Sequence, residues 1–97
     1  MRLVVIFDDT PPMVAIRAAQ EPAHLDYLRA HADEILIGGG LRDQPGGGYV
    51  GGLWVLDVAS KARAIELIEA DPYYIAERRP YRLLVWGKAC PELMVTL

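Results

Sequence analysis

Five consecutive apolar residues, Leu3-Val4-Val5-Ile6-Phe7, predict a buried strand from Leu3 to Asp8, because the run is short, continuous and β-branched. Asp8-Asp9-Thr10-Pro11-Pro12 closes it with turn chemistry. Met13 to Ala19 predicts a short helix. Pro22 suits the first turn of a second helix, where its missing N–H has no partner to lose, and this helix runs to about Ala32. His24, Tyr27, Leu28 and His31 then share one face, beside an apolar stripe of Leu25, Leu28 and Ala32. His24 is thereby expected in the first turn, at the edge of the buried face. Glu34 to Ile37 predicts the next strand, ended by Gly38-Gly39-Gly40. Leu41 to Gly52, rich in glycine and holding Pro45, predicts a loop or an irregular hairpin connection. A third strand follows from Leu53 to Val58. Ser60 is a good N-cap for a helix from Lys61 to Ala70, with Ala64, Ile65 and Ile68 inward. Pro72 bars a smooth continuation, so Asp71 marks the helix end. Tyr81 to Trp86 predicts the fourth strand, and Pro91 to Leu97 a short apolar tail.

The order β-α-β-β-α-β is the ferredoxin-like split motif, an α+β fold with a four-stranded antiparallel sheet and its helices on one face. Helices on one face leave the other uncovered. Half-exposed strands should alternate apolar with polar. Here Leu3, Val5 and Phe7 alternate with Val4 and Ile6, and Leu83 and Val85 alternate with Leu84 and Trp86. The simplest resolution is that the open face packs on a second copy, making a homodimer. Such burial also helps a chain of 97 residues, since a domain this small buries only about two-thirds of its unfolded surface.

Composition narrows the function classes. One domain spanning residues 1–97 is expected from the length. Cys90 is the single cysteine, so no bridge forms within the chain and no cysteine-type zinc cluster exists; its expected role is minor packing. A lone thiol suits a reducing cytoplasm. The net charge is −3, and the densest basic group, Arg78, Arg79 and Arg82, surrounds Pro80 rather than lining a helix face. That is poor footing for nucleic acid. No apolar run approaches the roughly 20 residues that span a bilayer, so neither nucleic acid nor a membrane is an expected partner.

Two distant segments carry the candidate chemistry. Pro22-Ala23-His24-Leu25 supplies an imidazole, which titrates near neutral pH. Asp71-Pro72-Tyr73 supplies a carboxylate at a helix C-terminus, an unfavourable place for negative charge without a partner or solvent. A carboxylate on one ring nitrogen fixes the tautomer and leaves the other nitrogen free for a substrate. The bland alternatives are a packed core-edge histidine and a solvated turn aspartate. Arg17 is either a ligand for a substrate oxyanion or a solvated surface arginine. Tyr73 and Tyr74 either line a pocket or pack as half-buried aromatics. His31 is expected to face solvent. It is seven residues from His24, too far for a same-helix metal pair at three or four, and no metal site is expected. Gly46-Gly47-Gly48-Tyr49-Val50-Gly51 matches G-x-G-x-x-G formally, but precedes a strand rather than opening a helix, so the match is coincidental.

The chain resembles the YciI-like family of YCII-related domains, within the dimeric α+β barrel superfamily. The carriers are the opening strand, Pro22-Ala23-His24-Leu25 with Tyr27-Leu28, the Gly38-Gly39-Gly40 run and Asp71-Pro72-Tyr73, in that order and spacing, with Arg17 seven residues before His24. The resemblance implies a His24–Asp71 pair in a pocket near a dimer interface, and an enzyme, since related dimeric barrels include isomerases, lyases and cofactor-free oxygenases. Glu21 stands where relatives commonly carry a basic residue, and Gly40 where they often carry proline. The first departure argues against an anionic substrate.

These readings converge on a small cytoplasmic homodimer doing general acid–base chemistry on a small cyclic or aromatic substrate without a cofactor. His24 is the expected base, Asp71 its orienting partner, and Arg17 and Tyr73 the expected substrate contacts. The rival reading is a non-catalytic small-molecule-binding or accessory dimerisation module.

Overall fold

The structure is a computed structural model and describes residues 1–76 and 78–96. Its elements are β1 (Arg2–Asp8), α1 (Met13–Ala30), β2 (Ile35–Arg42), β3 (Tyr49–Asp57), α2 (Lys61–Ala70) and β4 (Tyr81–Val85). The four strands form one antiparallel sheet in the order β2-β3-β1-β4, the ferredoxin-like arrangement. Leu3, Val5 and Phe7 of β1 face the helices beside Trp54 and Leu56 of β3. Ala64, Leu67 and Ile68 of α2 close the core over them. Phe7 meets Trp54 edge-on at 5.1 Å between ring centroids, a favoured aromatic geometry.

Three expectations about the elements change. The two helices separated before Pro22 are one helix of 18 residues with Pro22 inside it. An interior proline forfeits one backbone hydrogen bond and costs about 3 kcal/mol. Packing on both sides overrides that cost: Met13 is fully buried before Pro22, and His24 is buried after it. His24 therefore lies in the second half of a long helix and not in a first turn.

The Gly38-Gly39-Gly40 run does not end β2, and the region from Leu41 to Gly52 is not a loop. Both strands extend through glycine, leaving a connection of only Asp43 to Gly48, with Gly46 at φ 77°. Glycine inside a strand marks close approach of other groups. At Gly40 the space of a side chain is taken by the Tyr49 ring, and at Gly51 by the Phe7 carbonyl. The G-x-G-x-x-G match spans this turn and the start of β3, with no helix after it.

The third change concerns α2. Ser60 caps it as expected, accepting from the Arg63 N–H at 3.1 Å. Leu67, not Ile65, shares the buried face with Ala64 and Ile68, and Ile65 is exposed. At 3.6 residues per turn, positions 64, 67 and 68 lie together and 65 turns away.

On the open face Val4, Ile6 and Leu53 are half-buried around buried Val55, while Ile37, Leu84 and Trp86 are exposed. Leu93, Met94 and Val95 of the tail are exposed as well, and Leu97 lies outside the described residues. Cys90 is exposed and does not pack, correcting the expected packing role. His31 is half-buried with its ring 4.5 Å from that of Tyr27, rather than facing solvent.

Candidate functional site

Helix α1, strands β2 and β3 and the segment after α2 meet at one cleft. Its volume is about 230 Å³, and it is lined by Arg17, His24, Leu28, Trp54, Tyr73 and Arg79, with Gly38 to Gly40 at one side, Tyr49 at another and Glu21 and Leu25 also in the wall. Helix α1 is tied to α2 by the Tyr27 hydroxyl, which donates to the Leu67 carbonyl at 2.6 Å. Burial, and then the charge of Asp71, push the Tyr27 phenol above its ordinary pKa, so it stays a donor.

His24 and Asp71 meet directly. His24 Nδ1 lies 2.6 Å from Asp71 Oδ1, a buried contact. The backbone N–H of Tyr73 donates to the same carboxylate oxygen at 3.2 Å. That turn bond, two residues on from Asp71, aims the carboxylate. Tyr73 then stacks on the imidazole, with centroids 3.7 Å apart and planes 10° from parallel. The imidazole is thus held by a carboxylate at one edge and a ring on one face. With Asp71 ionised, Nδ1 carries the proton and Nε2 remains the acceptor. Burial raises the Tyr73 phenol pKa, so the ring serves as a neutral wall.

Arg17 points into the cleft but is not free. Its Nε donates to Asp9 Oδ2 at 2.7 Å, and Nη2 donates to Asp9 Oδ1 at 3.1 Å and to the Gly51 carbonyl at 2.9 Å. Its guanidinium also lies over the Tyr49 ring at 4.2 Å. Arg17 is thus not a solvated surface arginine; it lines the cleft with its Nε and Nη2 already engaged. Tyr74 is absent from the cleft and packs toward Tyr81 instead.

Three cleft-lining residues, and Asp9 behind Arg17, have no counterpart in the sequence expectations. Asp9 belonged to a turn motif, and only the fold brings it under Arg17. Trp54 and Tyr49 belonged to a strand and a loop. Arg79 belonged to a scattered basic group, yet it is 4 % exposed. No local signal marks it, because its burial depends on the segment after α2 folding back across β1. Among the described residues no group of three or more His, Cys, Asp and Glu side chains is placed to hold a metal ion. Among them no helix is long and apolar enough to cross a membrane.

A four-stranded antiparallel sheet with two helices on one face, and a histidine–carboxylate cleft beneath the first helix, defines a ferredoxin-like α+β protein. The family model of the YCII-related domain matches residues 1–86, and the chain belongs to that family. Among solved structures it is similar to 5-chloro-2-hydroxyhydroquinone dehydrochlorinase from Burkholderia phenoliruptrix AC1100, whose structure is a complex with 2,5-dihydroxybenzoquinone. The match covers 90% of this chain and 94% of that one, at 22% identity and a TM-score of 0.77. That likeness establishes the fold. No curated protein matches the chain.

Proposed function

We propose that this protein is a cofactor-free acid–base enzyme of isomerase or lyase type that acts on a small cyclic or aromatic substrate. The observation that carries the reading is the 2.6 Å contact between His24 and Asp71 inside the cleft. His24 Nε2 takes a proton from the substrate and returns it at another atom, or retains it while a leaving group departs. Asp71 holds the tautomer and stabilises the imidazolium that forms. The Tyr73 ring keeps the imidazole in plane, and Arg17, locked by Asp9, shapes the wall beside it. The dehydrochlorinase with the same fold supports an enzyme over a passive binding module, because that protein removes a proton and a chloride from a hydroxylated ring.

The test is a panel of hydroxylated rings beginning with 5-chloro-2-hydroxyhydroquinone, scored by chloride release and by solvent deuterium entering non-halogenated cyclic enols. Turnover by the wild type is the expected result. Asp71→Asn keeps the shape and removes the charge, so kcat falls while KM moves little, a loss expressed in the transition state. Binding of these rings with no product and no exchange would make the protein a binding module instead.

We also propose that it works as a homodimer through the open sheet face. Ile37 is 46% exposed, Leu84 43% and Trp86 46% on a face whose centre is already apolar. The matching second copy buries more than about 1,000 Å² in total. Sedimentation at micromolar concentration is expected to give a dimer, and Leu84→Glu a monomer. A strictly monomeric, folded wild type would remove this part of the proposal.

A further inference from the structure

Arg79 is the least satisfied charged group in the cleft. Its side chain is 3% exposed. Its Nε and Nη1 are buried without a hydrogen-bond partner among the described residues. The nearest carboxylates are too distant for hydrogen bonds: Asp9 Oδ1 at 3.8 Å from Nε and Asp71 Oδ2 at 3.7 Å from Nη1. A guanidinium has five N–H donors and no acceptor, and each buried donor left unpaired is costly. Arg17, by contrast, has Nε and Nη2 occupied by Asp9 and the Gly51 carbonyl.

The position is specific. The Arg79 guanidinium lies 4.1 Å over the Phe7 ring and 5.4 Å from that of Tyr73. Beneath it, β3 has Gly52, where a Cβ would stand 2.7 Å from Arg79 Nη2. Most of the other charge is paired at short range, except that Asp71 Oδ2, which faces Arg79 Nη1, is likewise buried without a hydrogen-bond partner among the described residues. Asp9 is held by Arg17, and Asp71 Oδ1 by His24 and the Tyr73 N–H. Glu21 is at the exposed rim.

We propose that Arg79 binds an ionised ring oxygen, so that the cleft takes a single-ring ligand carrying a phenolate or enolate. The size agrees: about 230 Å³ is below the roughly 300–1,000 Å³ of sites for drug-sized molecules. Trp54, Tyr49 and Tyr73 supply ring-stacking walls. The oxygen accepts from the guanidinium where it lines the cleft, a charge-assisted bond to a cation whose own carboxylate neighbours are beyond hydrogen-bond distance. This moves the oxyanion role from Arg17, where sequence placed it, to Arg79. It also reverses the expectation against an anionic substrate drawn from Glu21. The inference rests on reading this cleft as the substrate site.

Its test is binding, not turnover. The probes are 2,4-dinitrophenol, ionised at pH 7.5, and its neutral methyl ether 2,4-dinitroanisole, titrated calorimetrically. The wild type is expected to bind the phenolate at least about tenfold more tightly than the ether, a difference of about one charge-assisted hydrogen bond. Arg79→Gln removes that preference and leaves ether affinity within about twofold, while Arg79→Lys retains part of it. Gly52→Ala keeps the charge but displaces the guanidinium, and it lowers the preference too. It decides the matter should Arg79→Gln fail to fold. A merely structural arginine would lower the melting temperature and leave the phenolate-to-ether ratio unchanged. Equal binding of both probes by wild type, binding of neither, or a preference that survives in the folded variants would overturn the proposal. An Arg79-dependent preference in a protein that turns nothing over would remove the acid–base reading and leave this one standing.

Discussion

On the proposed acid–base reading, His24→Gln is expected to lower turnover of a ring substrate by at least about a hundredfold, the low end of what general acid–base catalysis contributes. Glutamine is the informative replacement because the histidine is buried and does two jobs. Its ring stacks on Tyr73 and its Nδ1 meets Asp71. A first-turn histidine at the core edge could be cut back to alanine without consequence for the fold. This one cannot: His24→Ala leaves Asp71 Oδ1 with the Tyr73 N–H alone and opens a gap beneath the Tyr73 ring. That change costs stability on the order of 1–3 kcal/mol, the range for stranding a buried polar group. The glutamine amide still donates to Asp71 but cannot take up a proton. Melting temperatures close to wild type with turnover lost are therefore expected for His24→Gln, and a clear drop in melting temperature for His24→Ala. Undiminished turnover in a folded His24→Gln protein would mean that the imidazole does no proton transfer.

Gly51→Ala destabilises the protein by about 2–3 kcal/mol, the upper part of the range for overpacking a filled site. In a domain of this size that lowers the melting temperature by roughly 8–24 °C. A Cβ at this position would stand 2.1 Å from the Phe7 carbonyl oxygen. The obstacle is backbone, which cannot swing aside as a side-chain end can. Gly51 pairs with Asp8 in the β1–β3 ladder, and its carbonyl accepts from Arg17, so relief by strand movement would disturb the cleft as well. Gly48→Ala is the control, since nothing lies within 4 Å of a Cβ there; its melting temperature is expected within about a degree or two of wild type. Equal melting temperatures for the two variants would mean that β1 and β3 are not pressed together at Gly51.

These glycines also show where sequence reading failed. A glycine-rich stretch with one proline has the composition of a loop, and the strand pattern is lost because glycine has no side chain to alternate. Of the residues that need the space, Phe7, Trp54 and Arg79 lie outside the stretch, and Tyr49 reaches Gly40 across the β2–β3 pair. A similar blindness separated α1 into two. Pro22 carries a local cost that a pattern must treat as a boundary, whereas the packed ends of the helix outweigh it.

What the sequence determined by itself was the fold class and the first pair of the site. Apolar runs, the Ser60 cap and the Pro72 stop are local signals, and local signals set the order of elements. The βαββαβ order admits few antiparallel arrangements, and His24, two residues after Pro22, and Asp71, at the Pro72 stop, were legible as candidates through these local marks. Only the tertiary structure decided how they are held and what surrounds them. Tyr73 stacks on the imidazole, Asp9 engages Arg17, and Arg79 is buried with two donors unpaired among the described residues. Each of these joins residues remote in the chain, and whether a charge is solvated, neutralised or left without a partner depends on which groups the fold packs against it.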